Sequence, residues 1–117
     1  MGDDSRQWVT FSRLEDADLV RLVGEIDLVN APGIGREIAV RTRAAQAVLV
    51  DLTAVSFLDS AGVRLLDTLI GDLDERHTPV RLVVSETGAV RMTLRLCAFR
   101  EDLVDDDLQT AADALRR

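Results

Sequence analysis

At 117 residues, 47% of them hydrophobic, the chain has the size and apolar content of one domain that builds its own core without disulfides or metal. Its formal charge of −7 argues against nucleic acid, because phosphate binding needs a basic stripe and acidic residues are interspersed with every arginine cluster here. All 14 basic residues are arginine, and the absence of lysine removes Schiff-base chemistry and the P-loop lysine together.

Residues 7–11 and 18–24 carry short apolar and β-branched runs separated by the charged segment 12–17, which predicts a β-hairpin. Asn30-Ala31-Pro32 is a helix start, with Asn30 as N-cap and the proline in the first turn. Ile34, Ile38 and Ala45 keep helical spacing to about residue 45. Residues 47–52 are nearly all apolar, as expected of a central strand covered on both faces. That strand runs out through 53–58 into a loop, where Asp51 is expected to cap or turn the chain.

A helix follows from about Ser60 to His77, stopped by Pro79. A rotation of 100° per residue groups Val63, Leu65, Leu66, Leu69, Ile70 and Leu73 on its apolar side and leaves Arg64, Asp67, Thr68 and Asp72 on the polar side. Residues 80–84 form the next buried strand, and Ser85-Glu86-Thr87-Gly88 turns into a helix with Val90, Leu94 and Cys97 on one side. A short edge strand is expected within 99–104. Asp105, Asp106 and Asp107 open a last helix with the stripe Leu108, Ala111, Ala112 and Leu115, and Arg116 and Arg117 complement its C-terminal dipole.

This order defines an α/β layer fold. Right-handed crossovers make the strands at 18–24, 47–52 and 80–84 parallel, so the loops 27–30, 56–62 and 85–88 emerge on one surface. Ser60 lies on that surface, near the middle of the polar side of its helix and at the positive end of the helix dipole, where it tolerates a phosphate. A plain helix cap is the competing role for it.

Other chemistries fail on inventory. Asp51 ends an apolar run like the phosphoacceptor of a receiver domain, but the required lysine is missing. Gly33-Ile34-Gly35 lacks the third glycine of a dinucleotide fingerprint. The single histidine, His77, lies about 25 Å along the helix from Ser60 at 1.5 Å per residue, too far to act as its base. Cys97 and His77 cannot assemble a metal site between them, and Cys97 reads as a small core residue. No cofactor or metal is expected. No run reaches the ~18 to 20 apolar residues of a membrane span, and the acidic start Met1-Gly2-Asp3-Asp4-Ser5 is unlike a signal peptide, so a cytoplasmic protein is expected.

Three segments together resemble the STAS family, specifically its anti-sigma factor antagonists: Val23-Gly24-Glu25-Ile26-Asp27 with Asn30-Ala31-Pro32; Val50-Asp51-Leu52-Thr53-Ala54-Val55-Ser56-Phe57-Leu58-Asp59-Ser60-Ala61-Gly62-Val63; and Val80-Arg81-Leu82-Val83-Val84. The middle segment is the most specific. The resemblance runs from about residue 7 to 115. It implies a single STAS domain over 1–117, with a mixed four- to five-stranded sheet, a hairpin followed by parallel strands, and about four helices.

It also implies a switch protein and not an enzyme. The unphosphorylated antagonist would bind an anti-sigma factor that is also a serine kinase and so free a sigma factor. Phosphorylation of the antagonist would release it, and a phosphatase would reset the cycle. Ser60 matches the phosphorylated serine, with Asp59 and Gly62 around it, and Asp27 matches the acidic residue of the neighbouring loop. Asn30, Leu58, Ala61, Val63 and Arg64 complete the expected partner-binding set. Ala61 departs from the family, which often has a second hydroxyl there, so Ser60 is the sole acceptor in the motif. The helix dipole and backbone N–H groups are expected to hold the phosphate. An unphosphorylated scaffold or a small-molecule or nucleotide sensor is the alternative reading.

Overall fold

The N-terminal hairpin forms as the two apolar, β-branched runs predict, but its turn is only two residues wide. In the computed structural model, which describes residues 7–116, β1 (Val9–Leu14) pairs antiparallel with β2 (Ala17–Ile26) in the register Val9 to Leu22 through Leu14 to Ala17. Glu15 takes the left-handed conformation at φ 57° that closes so tight a turn. The segment read as a charged linker is therefore mostly strand. The acidic start Met1–Ser5 and the helix-end role of Arg117 lie outside the described residues.

After β2 the chain follows the predicted order: α1 (Ala31–Arg41), β3 (Val48–Leu58), α2 (Ser60–Glu75), β4 (Val80–Val83), α3 (Ala89–Leu96), a 3₁₀ turn (Glu101–Leu103), β5 (Val104–Asp105) and α4 (Leu108–Leu115). The five strands lie side by side in sequence order, and every pair after the hairpin is parallel. This is the mixed sheet with four helices that the sequence predicts.

The sheet is covered unequally. Val20, Leu22, Val48, Val50, Leu52 and Leu82 point to the face packed by Ile34 and Ile38 of α1, by Leu66, Leu69 and Leu73 of α2, and by Val90 and Leu94 of α3. The apolar cluster of the opposite face is smaller, with Ala17, Leu19, Leu49 and Val83 buried under Ala111 and Ala112 of α4.

Several local expectations are corrected. α1 stops at Arg41, short of residue 45; Thr42 bonds back to the Ile38 carbonyl through both its N–H (2.9 Å) and its hydroxyl (2.7 Å). β3 does not dissolve into loop after Leu52 but continues to Leu58, because β2 is long enough to pair with it as far as Ile26. Asp51 accordingly turns nothing. It is buried mid-strand, accepting from Arg21 Nε at 3.0 Å and from the N–H and hydroxyl of Thr53 at 2.9 and 2.7 Å.

α2 ends at Glu75, two residues before His77, whose positive φ of 59° breaks the helix. β4 ends at Val83, and the edge strand is two residues long, after a 3₁₀ turn. Asp105 belongs to that strand and is held by Arg81, so Asp107 alone caps α4, accepting from the Thr110 N–H at 2.8 Å. Cys97 is exposed, not core: it follows the last turn of α3, and Phe99 takes the buried position instead.

Candidate functional site

The site is built where β2 and β3 end together. Their parallel pairing runs through Ile26 and Leu58, and the next N–H of β3, that of Asp59, donates to the Ile26 carbonyl at 3.3 Å. Asp59 then adopts an extended conformation and caps α2: its Oδ1 accepts from Ala61 N at 2.9 Å and Gly62 N at 3.1 Å. Its Oδ2 accepts from Leu28 N at 3.2 Å, in the loop between β2 and α1. One carboxylate thus fastens both loops of the surface.

That assignment corrects the reading of Ser60 as the cap. Ser60 is the first residue of α2, it is exposed, and its hydroxyl makes no hydrogen bond among the described residues. Asp59 and Ser60 are both good capping residues, and the choice falls on Asp59 because the strand ends one residue earlier.

Gly62 is fixed by close approach. A Cβ there would stand 2.4 Å from Leu58 Cδ1, 2.9 Å from its Cγ and 3.3 Å from the Ile26 carbonyl oxygen. Leu58, Gly62 and Val63 are all buried, so they position the surface from beneath. Ala61 and Asp27 are half-buried, and Arg64 is exposed.

The neighbouring loop is a self-bonded turn. Asp27 Oδ1 accepts from Val29 N at 2.9 Å and Asn30 N at 3.2 Å, and Asn30 Oδ1 accepts from Asp27 N at 2.9 Å. Asn30 Nδ2 also donates to the Glu25 carbonyl at 2.8 Å, so Asn30 stands at the cap position of α1 without capping it. The turn pushes Leu28 and Val29 into solvent, 73% and 87% exposed. These two apolar side chains are the surface residues that sequence reasoning missed. Their signal was available: Leu28 and Val29 lie inside an Asp…Asn turn, where neither strand nor helix periodicity can bury them.

Leu28 also opens onto a groove of about 410 Å³ between α1 and α2, floored by Ala31, Gly35, Leu65 and Leu69 and edged by Arg64 and Asp72. Among the described residues, no three His, Cys, Asp or Glu side chains converge as metal ligands, and no helix is long and apolar enough to cross a membrane. The surface therefore combines one free hydroxyl, two acidic side chains locked by hydrogen bonds, an apolar knob and an apolar furrow.

Residues 11–111 match the STAS domain family, and the chain belongs to it. No curated protein matches the sequence. Among solved structures, the chain resembles an anti-sigma factor antagonist from Mycobacterium paratuberculosis at 28% identity and a TM-score of 0.83, covering 93% of each chain. It shares its fold with the Bacillus cell fate determinant SpoIIAA in phosphorylated form, at 20% identity and TM-score 0.69 over 93% of this chain and 99% of that one. It shares it also with a Thermotoga maritima protein assigned as an anti-sigma factor antagonist, at 15% identity and TM-score 0.80 over 93% and 95%.

Proposed function

We propose that this protein is an anti-sigma factor antagonist of the cytoplasm, which binds a cognate anti-sigma factor with serine kinase activity and is released when that kinase phosphorylates Ser60. The observation that carries the reading is the free, exposed Ser60 hydroxyl on a helix already capped by Asp59, beside the exposed Leu28 and Val29. The cap of α2 is supplied by Asp59, which leaves the serine hydroxyl available. The likeness to the mycobacterial antagonist supports the same assignment.

In the proposed step the Ser60 Oγ attacks the γ-phosphorus of ATP bound to the kinase, the bond to ADP breaks, and the hydroxyl proton passes to a base of the kinase. The product adds a charge of about −1.5 to −2 to a surface that already carries Asp27 and Asp59. Docking weakens because a buried contact becomes charged and must be desolvated, while the fold is unchanged. A phosphatase returns the hydroxyl. In this step the kinase supplies the catalytic groups and this chain supplies the acceptor.

The test is a reconstitution with the cognate kinase and ATP. One phosphate is expected on Ser60, Ser60→Ala should accept none yet still bind the kinase, and Ser60→Asp should bind it more weakly. Phosphate on another residue, with Ser60→Ala behaving as wild type, would overturn the reading.

A second reading, an unphosphorylated scaffold or a small-molecule sensor, is favoured by one observation, the apolar groove whose volume falls in the ~300–1,000 Å³ range of ligand sites. Calorimetric titration of the unmodified protein with a panel of nucleotides separates the two. Tight binding with no kinase present would support the sensor.

A further inference from the structure

A phosphate on Ser60 needs a counter-charge, and the amides of the helix start cannot supply it. Ala61 N and Gly62 N already donate to Asp59 Oδ1, and Val63 N donates to the Asp59 carbonyl at 3.0 Å. Only the amide of Ser60 itself is left. The anion site that a helix N-terminus ordinarily offers is filled here by the protein's own carboxylate.

The charged groups around position 60 narrow the choice further. Asp59 on the same turn and Asp27 on the adjoining loop repel a phosphate, as does Asp67 two turns down α2. Among the cations that border the neighbouring groove, Arg76 spends its Nη1 on the carbonyls of Thr42 and Arg43, at 3.3 and 2.9 Å, and Arg36 is engaged elsewhere. Arg64 is different. It lies four residues after Ser60 on α2, is exposed, and has no hydrogen bond or ion pair among the described residues. Side chains at i and i+4 of a helix stand one above the other, about 5–6 Å apart at Cβ, with the acidic partner N-terminal to the basic one in the favourable order. A guanidinium offers a phosphate two parallel N–H donors.

We infer that Arg64 is the residue that holds the phosphate of phosphorylated Ser60, in place of the backbone amides of α2. The inference rests on the reading of Ser60 as a phosphoacceptor. It assigns Arg64 as a positioning residue of the modified state: the phosphate folds down along α2 and draws the guanidinium away from the rim of the groove.

The test places phosphoserine at position 60 of the full chain by amber suppression, so that it needs no kinase. In ¹H–¹⁵N spectra the Arg64 Nε–Hε signal should move downfield and exchange more slowly than in the unmodified protein, while the Ala61 and Gly62 amides stay in place. In ³¹P titrations the second phosphate pKa should rise by about 0.5 in Arg64→Gln, the size expected of an exposed ion pair, and return toward wild type in Arg64→Lys. Equal pKa values in all three proteins, with the Ala61 and Gly62 amides moving downfield instead, would overturn the inference. Because the phosphate is installed synthetically, failure of a kinase to modify Ser60 would count against the proposed function alone.

Discussion

Asp59 satisfies three backbone donors with one carboxylate: Ala61 and Gly62 on α2, and Leu28 on the other loop. Ser60, beside it, satisfies none. Capping side chains are typically worth about 1 kcal/mol, and surface substitutions away from such features stay within about 0.5 kcal/mol. Asp59→Ala is therefore expected to lose about 1–2 kcal/mol in urea unfolding, with Ser60→Ala close to wild type. The reverse order would show that Ser60 carries the cap. At this scale the sequence made the exposed hydroxyl of Ser60 legible, through its place after an apolar run and opposite an apolar helix stripe, but not the cap. Two adjacent capping residues compete for one position, and only the length of β3 decides between them. Asp51 was illegible for a related reason, since its partner Arg21 is thirty residues away and meets it only through strand register.

At the scale of elements, β3 shows how pairing overrides local composition. Thr53, Ala54, Ser56 and Phe57 are exposed and read as loop, yet the strand continues because β2 supplies backbone partners as far as Ile26. β2 adapts with two register shifts, and Gly24 takes φ 80° at the second of them. α3 errs in the other direction. Its Val90 and Leu94 keep the helical stripe, but the helix ends at Leu96 and the next residue of the stripe, Cys97, turns to solvent. Buried thiols are inert and exposed ones accessible. Native protein is thus expected to react with a thiol reagent within a few-fold of the rate of the urea-unfolded chain. Protection by orders of magnitude would return Cys97 to the core.

At the scale of the whole molecule, the two sheet faces differ in how firmly they are held. Three helices share the large core, whereas α4 rests on a small cluster rich in alanine and on its Asp107 cap. Hydrogen bonds from the Thr110 N–H and hydroxyl hold the Asp107 carboxyl below the usual carboxylate value. A carboxyl lowered in the folded state adds stability above its unfolded pKa, and that stability fades as the pH falls through this value toward the lowered one. Between pH 7 and pH 3, amide protection factors, taken relative to the intrinsic exchange rate at each pH, are expected to fall in α4 before they fall in α2. Simultaneous loss of protection in both helices would show that α4 is no weaker than the rest. The layered fold was legible because periodicity marks which elements are amphipathic. The unequal covering was not, since a stripe of Ala111, Ala112 and Leu115 looks much like any other until its partners are known.

Because Asp59 holds the helix, position 60 is released from every duty to the fold. Under the proposed function its occupant is read only by the partner that docks there. A lineage carrying this domain can exchange the serine for alanine or an acidic residue and pass on a module fixed permanently in one state, without having to repair its architecture. The proposed switch can thus be lost, and the fold inherited, in a single substitution.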